Sequence, residues 1–203
     1  MNNESIIGFG NYQWRVLDIK TDKMLILTDE IIEQRDYHDK KEEITWEHSE
    51  IRNFLNNEFI ERFNTSDKHK INSIINKNEN NPWYGSFGGN DTVDRIFLLS
   101  LDEVVRLYFG DSSRLLDNPK KNQRYWFDRK DENNIKRRAL FVNSSWWWWT
   151  RTPGKNSKVA TYVHGDGNIG IQGNGISKTS FNTLHYRTQS NKGGVRPALW
   201  LKI

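Results

Sequence analysis

At 203 residues, with 30 basic and 26 acidic side chains and a net charge of +4, the chain has the length of one domain and lacks the charge excess of a general nucleic-acid binder. It has no cysteine, which excludes disulfides, thiolate zinc sites and cysteine nucleophiles. The start, Met1-Asn2-Asn3-Glu4-Ser5, has no basic n-region, and no stretch approaches about 18 apolar residues, so neither a secretory signal nor a membrane span is expected.

In chain order, the first elements are strands. Tyr12 to Leu17 and Lys23 to Thr28 flank the polar turn Lys20-Thr21-Asp22 and predict a hairpin. A helix follows, capped by Thr45 or Ser49, with Ile51, Phe54, Leu55, Phe59 and Phe63 near helical period. A shorter second helix is expected from His69 to Ile75. The breakers in Asn80 to Asn90 mark a loop, and Asp94 to Leu99 reads as a short strand. Ser100-Leu101-Asp102-Glu103 is a capping box, so a helix should run from about Leu101 to Phe109 and stop near Gly110. Residues 111–138 form a polar insertion with nine basic and five acidic residues, around Tyr125-Trp126-Phe127.

The run Trp146-Trp147-Trp148-Trp149 comes next. Each indole side chain offers about 200 Å² of largely apolar surface. At about 25 cal/mol per Å², burying all four is worth up to about 20 kcal/mol, more than the net stability of a typical domain. The run is therefore expected to be an internal strand, with Trp147 and Trp149 in the core and Trp146 or Trp148 toward a ligand surface. Lys158 to His164 and Asn168 to Gln172, joined by Gly165-Asp166-Gly167, predict a hairpin with Ala160, Tyr162 and His164 on one face. Residues 173–192 are polar and loop-like, and Gly193 to Ile203 reads as a final strand.

Few residues point to catalysis. The five histidines, His38, His48, His69, His164 and His185, form no HxH or HExxH pair, so no metal or other cofactor is expected. Asp166-Gly167-Asn168 lacks the later ligands of a calcium loop and reads as a turn. No Gly-x-Ser-x-Gly elbow or phosphate cradle occurs. Arg151 and Arg196 are expected to brace the core by stacking on indoles or bonding carbonyls.

Four segments together resemble an uncharacterised bacterial domain family: Trp14-Arg15-Val16-Leu17, Asn81-Pro82-Trp83-Tyr84-Gly85 with Gly88-Gly89-Asn90-Asp91, Trp147 to Gly154, and Gly193 to Trp200. More distantly, the Trp–Arg–Gly run followed by a terminal Gly-Val-Arg strand resembles the C-type-lectin-like fold of formylglycine-generating enzymes and of the target proteins of diversity-generating retroelements. That resemblance implies one α+β domain over 1–203, with a small mixed or antiparallel sheet, two main helices and a loop-rich C-terminal half. The catalytic cysteines of the enzymes and the Glu-Pro-Asn, Gln-Pro-Asp and Trp-Asn-Asp signatures of calcium lectins are absent from the sequence.

The expected function is a non-catalytic binding module for a protein or glycan surface, cytoplasmic unless displayed on a surface or virion by another route. Its face is expected to comprise Trp146, Trp148, Tyr162, His164, Asn168, Gln172, Asn174, His185, Tyr186 and Arg187, residue types that dominate binding hot spots and paratopes. A cysteine-free enzyme related to the formylglycine-generating group is the first alternative. A nucleic-acid module using residues 111–138 is the second.

Overall fold

The computed structural model describes residues 5–110, 115–117, 132–177 and 192–203. The protein is a mixed α+β fold built from several small sheets and few helices. Most of the charged insertion and residues 178–191 lie outside the described residues.

The predicted N-terminal hairpin is present. Strand β2 (Tyr12–Ile19) pairs antiparallel with β3 (Lys23–Thr28), and β1 (Ile6–Phe9), which the sequence did not reveal, adds to the β2 edge. The final strand, β13 (Ala198–Lys202), closes the other edge by pairing antiparallel with β3, Leu199 opposite Ile26 and Trp200 opposite Leu25. The order is β1-β2-β3-β13. Leu25, Ile26, Leu27 and Leu199 are buried, as expected where both faces of a strand are covered.

Ser49 caps the first main helix, accepting from Arg52 N–H, whereas Thr45 makes no side-chain cap bond. Helix α1 (Glu50–Asn53) continues as a π-helical turn at Phe54–Glu58 and a 3₁₀ turn at Phe59–Arg62. The predicted apolar stripe is buried: Ile51, Phe54, Leu55, Phe59 and Phe63. Phe63 reaches the first sheet, where its ring centroid lies 5.4 Å from that of Phe9.

The second helix differs from the expectation. Helix α2 (Thr65–Lys70) starts earlier, with Asn64 as its cap, and stops before the isoleucines. Ile74–Asn76 instead forms β5, paired antiparallel with β6 (Thr92–Asp94). β-Branched Ile71, Ile74 and Ile75 favour extended backbone, and Ile71 bridges Leu201 of β13. The strand expected over 94–99 correspondingly ends at Asp94, leaving Phe97 as a single bridge to Ala198. The capping box forms in full: Ser100 N–H donates to Glu103 Oε2 at 2.7 Å, and Glu103 N–H donates to Ser100 Oγ at 3.1 Å. The helical run behind it includes the π-helix Glu103–Tyr108 and ends before Gly110, whose φ is +83°.

A second sheet carries the tryptophans. Its order is β11 (Ile169–Gly175), β10 (Val159–Val163), β9 (Trp148–Pro153), β12 (Gly193–Val195) and β4 (Glu33–Arg35). Only the β12–β9 contact is parallel. All six residues of β9 are buried, so this strand is internal, as expected. The tryptophan run itself is split. Trp146 ends β8 (Ser144–Trp146), which pairs with β7 (Ala139–Phe141), and β9 starts only at Trp148. Trp148 and Trp149 are fully buried, whereas Trp146 and Trp147 are half-buried. Position along the chain, not alternation between faces, decides which indoles are sealed in the core, so the expected exposure of Trp148 is corrected, while Trp147, expected in the core, packs against it partly buried. The β7–β8 turn places Val142 at φ 49° and Asn143 at φ 62°.

Glycines make room for the rings. A Cβ at Gly193 would sit 2.3 Å from Trp149 Nε1, and one at Gly170 would sit 2.2 Å from the Tyr162 ring. Each aromatic thus lies flat on a neighbouring strand that has no side chain at that point.

Candidate functional site

Hydrogen bonding separates residues that brace the fold from residues that face outward. Arg151 is buried and grips both carboxylate oxygens of Glu103 while donating to Leu98 O at 2.8 Å. This joins β9 to the capping box of the next helical run. Arg196 is fully buried, donates from Nε to Thr28 O at 2.9 Å and lies 5.1 Å from the Trp148 ring centroid. Both arginines are the core braces expected from the sequence. Asn81, in the Asn81-Pro82-Trp83-Tyr84-Gly85 motif, donates to Pro153 O and Ile171 O at 2.8 and 3.0 Å and accepts from the N–H groups of Trp83 and Tyr84. One buried amide thus fastens the loop to β9 and β11. Asp94 is equally committed, accepting from Arg52, Trp46, Asn76 and Thr92.

The outward-facing group lies at the tip of the β10–β11 hairpin, which forms as predicted. Ser145 Oγ donates to Gly165 O, so the end of β8 is held against this tip. The Trp147 ring meets Tyr162 at 5.4 Å and Trp149 at 4.6 Å, both edge-on. Trp146 donates from Nε1 to Lys192 O at 3.0 Å, which fixes its ring while leaving part of it at the surface. At the tip, His164 Nδ1 lies 2.9 Å from Asp166 Oδ1, and the two side chains are 41% and 46% exposed. Burial pushes the Asp166 carboxyl upward, but the backbone N–H of Asn168 and the His164 imidazole outweigh it and hold the carboxyl below its ordinary value. Burial and the neighbouring Asp166 charge push the Tyr162 hydroxyl up, so it stays protonated. The tip therefore offers two partly exposed indoles, an imidazole oriented by a carboxylate, and that carboxylate's charge: ring faces for stacking beside fixed polar groups.

The expected face is only partly assembled. Trp146 and His164 both reach the surface, the first bonded to Lys192 O and the second to Asp166. Trp148 is fully buried and donates from Nε1 to Arg137 O. Asn168 is 1% exposed, its amide divided between Asp166 and Asn134, because the turn needs it as internal scaffolding. Tyr162 is 8% exposed and packs as an edge of the core, since glycine opposite it leaves a slot for the ring. Gln172 and Asn174 are half-buried and lie up β11, away from the tip; Asn174 pairs with Ala160, whereas Val163 pairs with Ile169. His185, Tyr186 and Arg187 lie outside the described residues. Sequence reasoning missed Trp147 and Asp166 as members. The His164-x-Asp166 spacing across a glycine turn was the available signal for the second.

Two further features were not legible in the sequence. A cleft of about 480 Å³ is lined by Ile44, Thr45, His48, Phe87 and Lys155, with Phe87 63% exposed. Elsewhere, one ligating atom each from His38, Asp39 and Glu50 lies within 4.8 Å of the other two.

The family described as "Domain of unknown function (DUF6273)" matches residues 21–203. The chain belongs to this family. No curated protein and no solved structure matches it. The DUF6273 match takes in the second sheet, Asn81, both arginine braces and every residue of the hairpin tip, whereas β1 and β2 precede it.

Proposed function

We propose that this DUF6273 chain is a non-catalytic recognition module that binds a protein or glycan surface through the tip of the β10–β11 hairpin and the adjoining end of β8. The observation that carries the reading is the grouping of half-buried Trp146 and Trp147 with the exposed His164–Asp166 pair around one turn. Rigid aromatic rings supply contact area at low entropic cost, and an oriented imidazole–carboxylate pair supplies direction. The Trp146 indole is held by Lys192 O and the His164 ring by Asp166, so little ordering remains to be done on binding. A C-type-lectin-like fold is part of this proposal. The mixed α+β architecture, small sheets and scarcity of helices support it.

The test is binding of the purified chain to a glycan array and to a displayed protein library, followed by isothermal titration with the best hit. Trp146→Ala with His164→Ala should weaken binding at least tenfold and leave the melting temperature within a few degrees. An unchanged affinity would remove the hairpin tip from the binding face. Turnover of any arrayed ligand would replace the module with an enzyme.

A further inference from the structure

We propose that His38, Asp39 and Glu50 form a site for one divalent transition-metal ion, with zinc as the fitting probe. The site is separate from the recognition face and does not depend on it. His38 and Asp39 follow β4, and Glu50 opens helix α1. Two backbone bonds and one side-chain bond fix these segments without any ion: Ile51 N–H donates to Tyr37 O at 3.1 Å, joining the two segments, while His38 N–H donates to Ile176 O at 3.1 Å and Ser177 Oγ donates to Asp39 O at 3.0 Å. The ligating atoms are thus carried on fixed backbone.

The geometry is near that of a bound ion. His38 Nε2 lies 3.6 Å from Asp39 Oδ1. Two ligands at zinc bond lengths of about 2.0–2.2 Å, subtending a tetrahedral angle, stand about 3.4 Å apart. Glu50 is exposed at the start of helix α1 with its ligating oxygen within 4.8 Å of the other two, so an ion would have to draw it inward. Glu42 Oε1 lies 3.0 Å from the same Nε2 and must give way when an ion takes that nitrogen.

Charge and burial point the same way. Asp39, Glu42 and Glu50 surround a single imidazole, and Lys40 and Lys41 on the same loop pair with none of them among the described residues. The His38 side chain is only 6% exposed, yet its Nδ1 has no hydrogen-bond partner. Nε2 is the nitrogen that faces the carboxylates of Asp39 and Glu42, and Nδ1 is the one without a partner. One imidazole with carboxylates selects a borderline ion over calcium or magnesium, which take oxygen alone. When the ion takes Nε2, the ring proton moves to Nδ1, where it meets no acceptor; this costs roughly tenfold to a hundredfold in affinity and sets the expectation at micromolar binding.

The experiment uses the full chain without a histidine tag, stripped with EDTA and titrated calorimetrically with zinc chloride. One zinc per chain, bound at micromolar Kd, is expected. Asp39→Asn and Glu50→Gln, near-isosteric changes at exposed positions, should each weaken zinc at least tenfold with an unchanged circular-dichroism spectrum. His38→Gln should abolish binding, and His69→Gln should leave it unchanged. If His38→Gln fails to fold, the Asp39→Asn, Glu50→Gln double variant decides. Absence of saturable binding, full binding by that double variant, loss of zinc in His69→Gln, or tighter binding of calcium than zinc would each overturn the assignment. Recognition through the hairpin tip is read on a different ligand, so either proposal can fail without the other.

Discussion

Trp148 and Trp149 differ from Trp146 and Trp147 in nothing but position, yet one pair is sealed in the second sheet and the other sits at its rim. The difference lies in what surrounds the backbone. β9 is flanked by β10 and β12, and its rings are covered from the faces as well: Trp149 meets the Tyr37 ring and Trp148 lies under Arg196. β8 belongs to a sheet of only two strands, and its side chains meet the hairpin tip and the surface. A residue's burial energy is thus available only where neighbouring strands supply cover, and a run of one amino acid divides at the boundary. The division gives the molecule a stable strand and, immediately beside it, a set of aromatic rings held rigidly at the surface.

The largest expected effect tests that division directly. Trp148→Ala should cost about 3–5 kcal/mol, because it opens a cavity beneath Arg196 and strands the Arg137 carbonyl. Trp146→Ala should cost about 1 kcal/mol or less, since its ring is already partly in water. Chemical denaturation measures both, and equal losses would break the comparison. A smaller change probes how the buried pair is accommodated. Gly193→Ala should destabilise by about 1–3 kcal/mol, because the new methyl meets Trp149 and the aromatic layer must shift; an unchanged denaturation midpoint would show the layer to be loosely packed.

The smallest effect concerns the rim. Asp166 has its folded-state acidity strengthened, so its stabilising contribution is present above the ordinary carboxylate value of 3.8 and is lost as pH falls through the lower folded value. Asp166→Asn should therefore lower the melting temperature slightly at neutral pH and flatten the acid limb of the stability–pH curve, so that the variant and the parent converge at low pH. A flattening confined to pH above 5 would contradict the sign of the shift.

How much of this was legible in the sequence depended on distance along the chain. The hairpin at Lys20–Asp22, the Ser49 cap, the Ser100–Glu103 box and the Gly165–Gly167 turn are written in a few adjacent residues, and all form. Ile71 to Ile75 misled because an isoleucine-rich segment suits either period, and its partners, Leu201 and β6, lie far away in sequence. The site suffered most. Whether Trp148, Tyr162 or Asn168 reaches water is decided by β12, by Gly170 and by Asn134, none of which a local pattern can nominate. His38, Asp39 and Glu50 were invisible for the same reason: their approach depends on how β4 meets α1, not on a spaced motif.

The pairing of β13 with β3 sets an order of events in folding. Leu27 meets Ala198 across about 170 residues of intervening chain, so the first sheet gains its fourth strand only when almost all of the chain is available. Until then one edge of an apolar hairpin, Leu25 to Leu27, presents unpaired backbone to whatever strand arrives first. Loop closure over that span is slow and concentrates risk in the newly made protein. Truncations that remove β13 should therefore aggregate during synthesis, even though they leave the tryptophan run and the hairpin tip intact in sequence.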